Sequence, residues 1–472
     1  MILDKGAVPV TDQNIDMKKV WQQDKDHYVH PWTDFSTFKE EGSLVVAGSD
    51  NVHIVDGDGK RYMDGIGGLW CVNVGYGREE IGQAMAEQAT KMPYYSSFGH
   101  HTSIPAAQLS AKIAELAPEG LNHVFYGCGG SVANDTAVRI IHFYFNQLGK
   151  PTKKQMLSRV DAYHGSTYMA MSLTGVEFDH IGFDIHRDMV HHLSCPNTYR
   201  RPEGMSEAEY CDALLQEMED KILEIGPDNM AAFFAEPIMG AGGVIVPPAG
   251  YHKRTIEMCH KYDMLYVSDE VVTAFCRLGH FFASEDEFDI VPDMITCAKG
   301  LTSGYIPLGA TIMSDKVYDV ISKPQAEGAL FTHGFTYSGH PVACAAGLKN
   351  IEIMERENLC DHVKDVGAYF EEQIRGLGEL DIVGDVRGRK FMMCLENVAN
   401  KETKELIDPA AKVGNRIAAH CQARGLIVRP IAHMNVLSPP LTLTRENVDF
   451  LTATLRESIE ATTADLRAEG YL

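Results

Sequence analysis

A lysine at the end of an apolar segment is the residue best placed for covalent chemistry. Lys299 follows residues 294–298 and precedes Gly300, Gly304 and Gly309, which let the backbone approach a ligand closely. A lysine held in such a place can lose its proton and act as an amine that traps carbonyl groups. For this residue taken singly, a solvated loop lysine is the ordinary alternative.

A second apolar segment, residues 264–268, runs directly into two acidic residues, Asp269 and Glu270. A carboxylate buried at the end of a strand needs a partner, and a protonated pyridine nitrogen is a suitable one. The alternative is that Asp269 caps the segment that follows it.

A glycine-rich turn precedes a helical pattern that runs to about residue 147. It contains Gly127, Gly129, Gly130 and Ser131, and the backbone N–H groups of a helix N-terminus bind phosphate. It is not the dinucleotide motif G-x-G-x-x-G, because Val132 stands where the last glycine is required, and it lacks the G-K-[ST] of a P-loop. A capped turn without a ligand is the alternative.

An aromatic residue follows the next apolar segment. Tyr163, ahead of His164 and Gly165, can stack on a planar cofactor. His164 fits a general base, although a structural histidine is more common. The pairs at 100–101 and 191–192 lack an acidic or cysteine partner at ligand spacing, so we assign no metal.

These residues need a scaffold that brings several strand ends together. Short apolar runs separated by helical patterns predict an α/β fold with a mostly parallel sheet, in which ligands bind beyond the carboxyl ends of the strands. After about residue 326, long amphipathic helices predict a smaller α+β C-terminal domain. The predicted strands are residues 123–126, 156–160, 230–234, 264–268, 294–297 and 310–313.

Composition narrows the class of protein. The 472 residues carry a formal net charge of −23, which argues against nucleic acid or an anionic membrane as a partner, since both require a basic face. The eleven cysteines form no C-x-x-C pair and indicate reduced thiols rather than a disulfide framework. With no long apolar run at the N-terminus or elsewhere, we expect a cytoplasmic protein.

Taken together and in order, these segments resemble the class III aminotransferases of the fold type I pyridoxal phosphate enzymes, over about residues 30–457. The resemblance rests on Tyr163-His-Gly165, Asp269-Glu-Val271, residues 298–305 and residues 336–341. It implies a large cofactor-binding domain at 61–325, a small C-terminal domain at 326–472 and an N-terminal segment, 1–60, that joins the small domain.

By this resemblance the cofactor is pyridoxal 5'-phosphate. Lys299 binds it covalently and later moves the proton, Asp269 pairs with the ring nitrogen, and Tyr163 and Val271 enclose the ring. Further cofactor-binding residues implied by the resemblance are His164, Gly165 and Glu236. Arg277 follows Asp269 at the family's distance, but the neighbouring residue, Cys276, replaces a usual glycine, so we expect only a structural role for Arg277.

The resemblance places the cofactor phosphate on Gly130 and Ser131. Thr336 reaches that phosphate from the neighbouring subunit of a homodimer, so a monomer would have an incomplete site; assembly of two dimers into a tetramer stays open. The residues that depart from the family's usual phosphate turn are Cys128, Gly129 and Val132. This departure leaves the cofactor's affinity, but not its identity, open.

Four residues narrow the resemblance to the ω-amino acid and amine:pyruvate transaminases. Trp32 and Trp70, with Tyr163, correspond to their aromatic substrate pocket, and Arg429 to their carboxylate-binding arginine. The alternatives are core tryptophans and a surface ion pair. The expected reaction moves an amino group by a ping-pong mechanism from an ω-amino acid or amine, which the sequence does not identify, to a 2-oxo acid, with pyruvate expected and 2-oxoglutarate as the alternative.

Two other functions are compatible with the motifs. A related fold type I lyase or aminomutase, of the dialkylglycine decarboxylase type, shares the cofactor residues. It differs from a transaminase because it needs no steady supply of amino acceptor. A catalytically silent small-molecule-binding protein would account for the altered phosphate turn, although Lys299 and Asp269 are both intact.

Overall fold

Three β-sheets organise the part of the chain, residues 15–472, that the computed structural model describes. The strands are β1 (Val46–Asp50), β2 (His53–Asp56), β3 (Arg61–Asp64), β4 (His123–Gly127), β5 (Gln155–Arg159), β6 (Val190–Leu193), β7 (Met230–Ala235), β8 (Leu265–Asp269), β9 (Met294–Cys297), β10 (Gly309–Met313), β11 (Val383–Arg389), β12 (Met392–Asn400), β13 (Glu405–Leu406), β14 (Leu426–Ile427), β15 (Arg429–Ile431) and β16 (Met434–Leu437).

Helices cover the sheets and form most of the C-terminal region. They are α1 (Met17–His27), α2 (Phe35–Glu41), α3 (Gly67–Trp70), α4 (Glu79–Lys91), α5 (Ile104–Leu116), α6 (Gly130–Gln147), α7 (Tyr168–Leu173), α8 (Glu207–Ile225), α9 (Tyr251–Lys261), α10 (Ala283–Phe288), α11 (Asp315–Ile321), α12 (Pro341–Arg356), α13 (Leu359–Arg375), α14 (Val413–Ala423) and α15 (Arg445–Glu469). Short 3₁₀ helices span Glu177–His180, Lys299–Leu301, Gly376–Glu379 and Pro409–Ala411.

The largest sheet has seven strands in the order β4-β10-β9-β8-β7-β5-β6. Its strand pairs are parallel except those of β10, which is antiparallel to both β4 and β9. All six predicted strands are present, and the mostly parallel α/β sheet is confirmed. The strand that the sequence did not reveal is β6, because His191 and His192 interrupt its apolar pattern.

Both faces of this sheet are buried. Adjacent residues of a strand point to opposite sides of the sheet, and each side packs against helices. Phe234 packs in an apolar cluster with residues of α6 and α11, while its neighbour Phe233 packs in another with residues of α8 and α9. Strands buried on both faces require continuous apolar runs, which is why the sequence revealed them. A capping box of Ser206 and Glu209 fixes the start of α8.

One of the two smaller sheets joins N-terminal strands to a C-terminal strand, and the other is built from C-terminal strands alone. The N-terminal strands pair in the order β1-β2-β3-β14, so β3 lies beside a strand from the C-terminal region. The C-terminal sheet has the order β11-β12-β16-β15, with β13 paired to β12. None of the helices in the described residues is long and apolar enough to cross a membrane. The three domain boundaries predicted from the sequence stay predictions.

Candidate active site

The turns after five parallel strands meet at one edge of the large sheet. Because β4, β5, β7, β8 and β9 run in the same direction, their carboxyl ends and the segments that follow lie side by side. This edge carries most of the predicted site residues: Gly130, Ser131, Tyr163, His164, Gly165, Glu236, Asp269, Val271 and Lys299.

Asp269 ends β8 and is held by three donors. Its Oδ2 accepts from the Nδ2 of Asn134 at 2.8 Å and lies 2.7 Å from the Nδ1 of His164, while its Oδ1 accepts from the backbone N–H of Val271 at 3.1 Å. The carboxylate is buried. An ionised carboxylate has about four acceptor positions, so Oδ1 retains capacity for a further N–H donor. A protonated pyridine nitrogen fits this requirement.

Asn134 is a site residue that the sequence reasoning missed. Besides Asp269, its amide donates to the carbonyl of His164 at 2.7 Å, and its Oδ1 accepts from Thr296 at 2.8 Å. One side chain from α6 therefore ties together the ends of β8 and β9 and the turn after β5. A buried asparagine on the apolar face of a predicted helix was the available signal.

Glu236 fixes the turn that bears Tyr163. Its carboxylate accepts from the backbone N–H of Tyr163 at 3.0 Å and from that of Gly240 at 2.8 Å. Burial raises the pKa of this carboxyl, and the charge of Asp269 raises it further, while His164 lowers it. Glu236 thus fixes the backbone of the turn that carries Tyr163, and its predicted role in cofactor binding stays a prediction.

The phosphate turn has the shape of an anion cradle. Gly129 caps α6, and the N–H groups of the first helical turn have no partners within the helix. The space around Gly129 is open, whereas a Cβ on Gly309 would lie 2.5 Å from the carbonyl oxygen of Gly129. A Cβ on Gly130 would lie 2.9 Å from Val271, so the turn packs directly against a predicted ring-binding residue.

Ser131 and Gly165 join the cradle to the neighbouring turn. Ser131 Oγ accepts from the backbone N–H of Ser166 at 3.1 Å. Gly165 has φ of +134°, and a Cβ there would lie 2.4 Å from Ser131 Oγ. A side chain at residue 165 would therefore displace the serine from the cradle.

One residue, Ala298, separates Lys299 from the end of β9. Lys299 has a strained conformation, with φ of +39°, which costs free energy for a residue with a side chain. Burial lowers the pKa of its amine, and the charges of Asp269 and Glu236 oppose that shift. The backbone beside it is anchored because Asn350 donates to the carbonyl oxygen of Gly300 at 2.8 Å. Burial therefore favours the neutral amine that carbonyl chemistry requires.

Arg429 lies close enough to Tyr163 for the charges of the two side chains to act on each other. Within residues 15–472, no hydrogen bond satisfies the guanidinium of Arg429; burial lowers its pKa, and nearby Tyr163 and Asp179 oppose the shift. Its charge also acts on the amine of Lys299. A partly buried arginine with no partner is a natural receptor for a substrate carboxylate.

Asp179 is a second residue that the sequence reasoning missed. It lies in the 3₁₀ helix Glu177–His180, whose segment is tied to the Tyr163 turn by the hydrogen bond from Gly175 N–H to the carbonyl of Ala162, at 2.8 Å. Burial raises its pKa to about 6, although His180 and Arg429 lower it. No periodic pattern marks this irregular segment.

The two predicted pocket tryptophans differ in environment. Trp32 is 61% exposed, and its ring centroid lies 5.8 Å from that of Tyr163. Trp70 is buried in an apolar cluster with Ile238 and Val244. The structure therefore puts Trp32 beside Tyr163 and Trp70 among core residues, and the substrate-binding role of both stays a prediction.

Thr336 lies in the loop that precedes α12. It is exposed, and its carbonyl accepts from Tyr94 at 2.8 Å. Among the described residues, no hydrogen bond joins Thr336 to Gly130 or Ser131. The predicted contact of Thr336 with the cofactor phosphate of a neighbouring subunit stays a prediction.

Arg277 is fully buried and bridges distant segments. It donates to the carbonyl of Pro439 at 2.5 Å, to that of Phe391 at 3.2 Å and to Oδ1 of Asn73 at 2.9 Å. These contacts give Arg277 a structural role, in keeping with the expectation from the sequence.

A lysine, a buried carboxylate and an open glycine cradle at the carboxyl edge of a mixed α/β sheet fit pyridoxal phosphate, and together they define a fold type I pyridoxal-phosphate-dependent enzyme. The sequence model of the family "Aminotransferase class-III" matches residues 37–459. The chain belongs to this family and is a pyridoxal-phosphate-dependent aminotransferase.

Relatives cover nearly the whole chain. The putrescine–pyruvate aminotransferase of Pseudomonas aeruginosa is 40% identical over 450 residues, 95% of this chain and 97% of that protein. A thermostable (S)-enantioselective ω-transaminase from Thermomicrobium roseum superposes with a TM-score of 0.90 at 38% identity, covering 96% and 99% of the two chains. The ω-transaminase of Pseudomonas jessenii in complex with PMP gives a TM-score of 0.92 at 34% identity, covering 94% and 98%.

Proposed function

We propose that this aminotransferase is an ω-transaminase that moves the amino group of an ω-amino acid or amine to pyruvate in two half-reactions. The observation that carries the proposal is Arg429, a partly buried guanidinium without a hydrogen-bond partner in residues 15–472. The similarity to a putrescine–pyruvate aminotransferase and to ω-transaminases adds support.

The predicted cofactor residues divide the work of binding. Lys299 holds pyridoxal phosphate covalently, Gly130 and Ser131 hold its phosphate, and Tyr163 and Val271 enclose its ring. When bound, the cofactor supplies an electron sink for the carbanion left by proton removal. Asp269 keeps a proton on the ring nitrogen, which strengthens that sink.

In the proposed reaction, the amine of Lys299 transfers the proton. The amine of Lys299 would remove the proton from the donor carbon and would later return a proton. The burial that lowers the pKa of this amine keeps it ready to accept that proton. The second half-reaction reverses these transfers on the 2-oxo acid.

One pocket must accept a donor without a carboxylate and an acceptor with one. A fixed, buried guanidinium would be left unpaired against an apolar donor, at a high cost in free energy. The guanidinium of Arg429 has no hydrogen bond within residues 15–472 to break before it moves, so it can meet the acceptor carboxylate and withdraw when an amine is bound.

A donor panel tests the proposed function. The holoenzyme is given putrescine, β-alanine, taurine or an aryl amine, with pyruvate or 2-oxoglutarate, and alanine or glutamate is measured. We expect alanine from pyruvate with at least one amine. Exclusive formation of glutamate would contradict the pyruvate assignment, and turnover without any amino acceptor would instead support the lyase or aminomutase alternative.

The alternative that the protein is a catalytically silent small-molecule-binding protein can be tested by absorbance. The purified enzyme should absorb visible light as pyridoxal enzymes do, and adding a donor should convert that band to the pyridoxamine form. A protein that binds the cofactor but shows no conversion with any donor of the panel would support the binding function instead.

We also propose a homodimer with shared active sites. Exposed aromatic side chains surround the segment of Thr336, and we call Tyr94, Tyr95, Phe98 and Tyr337 the aromatic patch. The rings of Tyr94 and Tyr337 lie 5.9 Å apart. Clustered exposed apolar groups of this kind mark protein interfaces. Pairing of two dimers into a tetramer would use other surfaces.

Subunit mixing tests the shared sites. Lys299→Ala and Thr336→Asp chains, each inactive, should regain activity in heterodimers, because one of the two sites then combines an intact lysine with an intact partner threonine. If Thr336 acted on its own subunit, both sites of the heterodimer would be defective. Verified heterodimers without activity would contradict the shared site.

A cytoplasmic location and the division into 1–60, 61–325 and 326–472 complete the proposal. The location is supported by free cysteine thiols, most of them buried, which suit a reducing compartment. The division is supported by the pairing of β3 with β14, which ties the N-terminal strands to the C-terminal region.

A further inference from the structure

Two thiols that transamination does not use face each other between the large sheet and the C-terminal helices. The Sγ atoms of Cys276 and Cys360 lie 2.9 Å apart, although 84 positions separate the residues in sequence. Cys276 lies in the loop after β8, and Cys360 lies in the first turn of α13. An S–S bond is about 2.05 Å long, so the two sulfurs need to approach each other by about 0.9 Å to form one.

The backbone around the pair is already fixed. The N–H of Cys276 donates to the carbonyl of His280 at 2.9 Å, and that of Gly279 donates to the carbonyl of Cys276 at 2.9 Å. A Cβ on Gly279 would lie 2.8 Å from Lys364 and 3.4 Å from the carbonyl oxygen of Cys360. Because the loop and α13 are in close contact, the thiols meet without a rearrangement of either element.

The two thiols differ in access to solvent. Cys360 is half-buried, whereas Cys276 is buried. Burial raises the pKa of the Cys276 thiol well above its usual range, its neighbour Cys360 raises it further, and Lys364 and Arg277 lower it. A solute therefore reaches Cys360 first, and Cys276 is positioned to react with whatever forms there.

We propose that Cys276 and Cys360 are a modification site at which a hydroperoxide forms a reversible disulfide bond. The Cys360 thiolate attacks the peroxide O–O bond, which yields a sulfenic acid on Cys360 and releases an alcohol, or water in the case of hydrogen peroxide. The sulfur of Cys276 then attacks the sulfenic sulfur, the S–S bond forms, and water leaves with the thiol proton. The two electrons lost by the thiols reduce the peroxide, and a dithiol reductant restores both thiols.

The bond would join segments that already meet at Arg277. This arginine, next to Cys276, contacts Asn73, Phe391 and Pro439. A disulfide closing a long loop stabilises the fold mainly through the unfolded chain. For a chain of this length the oxidised enzyme should melt about 2–4 °C higher than the reduced enzyme.

Peptide mapping of the holoenzyme tests the proposal. The reduced enzyme is treated with hydrogen peroxide, remaining thiols are alkylated, and the digest is analysed without reductant. We expect a cross-linked peptide pair containing Cys276 and Cys360, a loss of about 2 Da in the intact mass, and return of both thiols with dithiothreitol. A dose that oxidises the exposed Cys128 while Cys276 and Cys360 both stay alkylatable would overturn the proposal.

Two variants separate the roles of the thiols. In Cys276→Ser, dimedone should trap a sulfenic acid on Cys360, and the cross-link and the Tm increase should be absent. Cys421→Ser removes a buried thiol elsewhere, and this variant should retain both the cross-link and the Tm increase. If either variant folds poorly, the peptide map of the wild-type enzyme still tests the proposal. A disulfide between any other pair of cysteines in that map would also overturn the proposal.

Discussion

The two sides of the active site are constructed in opposite ways. On the proposed cofactor side, Asp269 is buried and receives hydrogen bonds from His164, Asn134 and Val271. On the proposed substrate side, the guanidinium of Arg429 has no hydrogen-bond partner in residues 15–472. A cofactor that stays bound can be held by a fixed network of hydrogen bonds. Substrates that alternate between charged and uncharged require a charged side chain that is free to change partners.

The largest effect is expected on the cofactor side, at Lys299. A Lys299→Ala enzyme should retain the cofactor through the phosphate cradle and Asp269 but lose at least about 1,000-fold in turnover, because it lacks both the covalent amine and the proton carrier. Borohydride reduction and peptide mapping of the wild type should find the pyridoxyl group on Lys299. Lys323→Ala, which removes an exposed lysine paired with Asp319, should behave as wild type. A label on any other lysine refutes the assignment.

The next effect tests whether the network around Asp269 serves chemistry or only stability. Asp269→Asn keeps the shape and removes the charge, so turnover should fall about 100- to 1,000-fold. The control is Asp293→Asn. Asp293 is equally buried in the same sheet and accepts from Tyr266 N–H at 2.9 Å, but it lies at the opposite edge. This control should lower Tm with little change in turnover, and equal losses of turnover would show that the network is structural.

Arg429 sharpens the contrast between the two sides. Arg429→Ala removes a charge-assisted contact worth about 1.5–3 kcal/mol, so kcat/KM for the acceptor should fall roughly 10- to 150-fold. The half-reaction of an uncharged aryl amine, if that donor is accepted, should lose far less. Stopped-flow absorbance separates the two half-reactions, and Arg467→Ala, at an exposed ion pair with Asp381, is the control. Equal losses in both half-reactions would mean that Arg429 supports the fold.

The smallest effect concerns Asp179. Burial raises its pKa from 3.8 to about 6. The ionised form therefore destabilises the fold increasingly as pH rises from about 4 through about 6, and the cost is complete above that value. Asp179→Asn should gain about 1–2 °C more in Tm at pH 8 than at pH 5. Asp184→Asn, an exposed neighbour, should show no such difference, and the same Tm gain at both pH values would contradict the buried charge.

The cofactor side was more accessible from sequence than the substrate side. Lys299, Asp269 and Tyr163 each follow an apolar strand segment, and strands buried on both faces are visible as continuous apolar runs. The order of the motifs then supplied the family, which the match over residues 37–459 confirms. The individual roles of these residues stay predictions.

What the sequence did not reveal depends on contacts between distant segments. Asn134 is one buried polar residue in a helix, and its link to Asp269 arises only when α6 packs beside β8. Asp179 lies in an irregular segment without periodicity, and the edge strand β6 is obscured by His191 and His192. The contact between Cys276 and Cys360 joins a loop to a helix 84 residues further along the chain, which no local pattern records.

The long sequence separation between β4 and its sheet neighbour β10 has a consequence for the newly made chain. β4, which leads into the phosphate turn, pairs in the large sheet with β10, so that Gly127 is opposite Gly309. At a synthesis rate of about 5–20 residues per second, β4 leaves the ribosome on the order of ten to forty seconds before its neighbour exists. During that interval β4 exposes an unpaired apolar edge, the kind of surface that chaperones bind and that aggregates form on. The yield of active enzyme in a cell should therefore depend on how that interval is protected as well as on the stability of the finished fold.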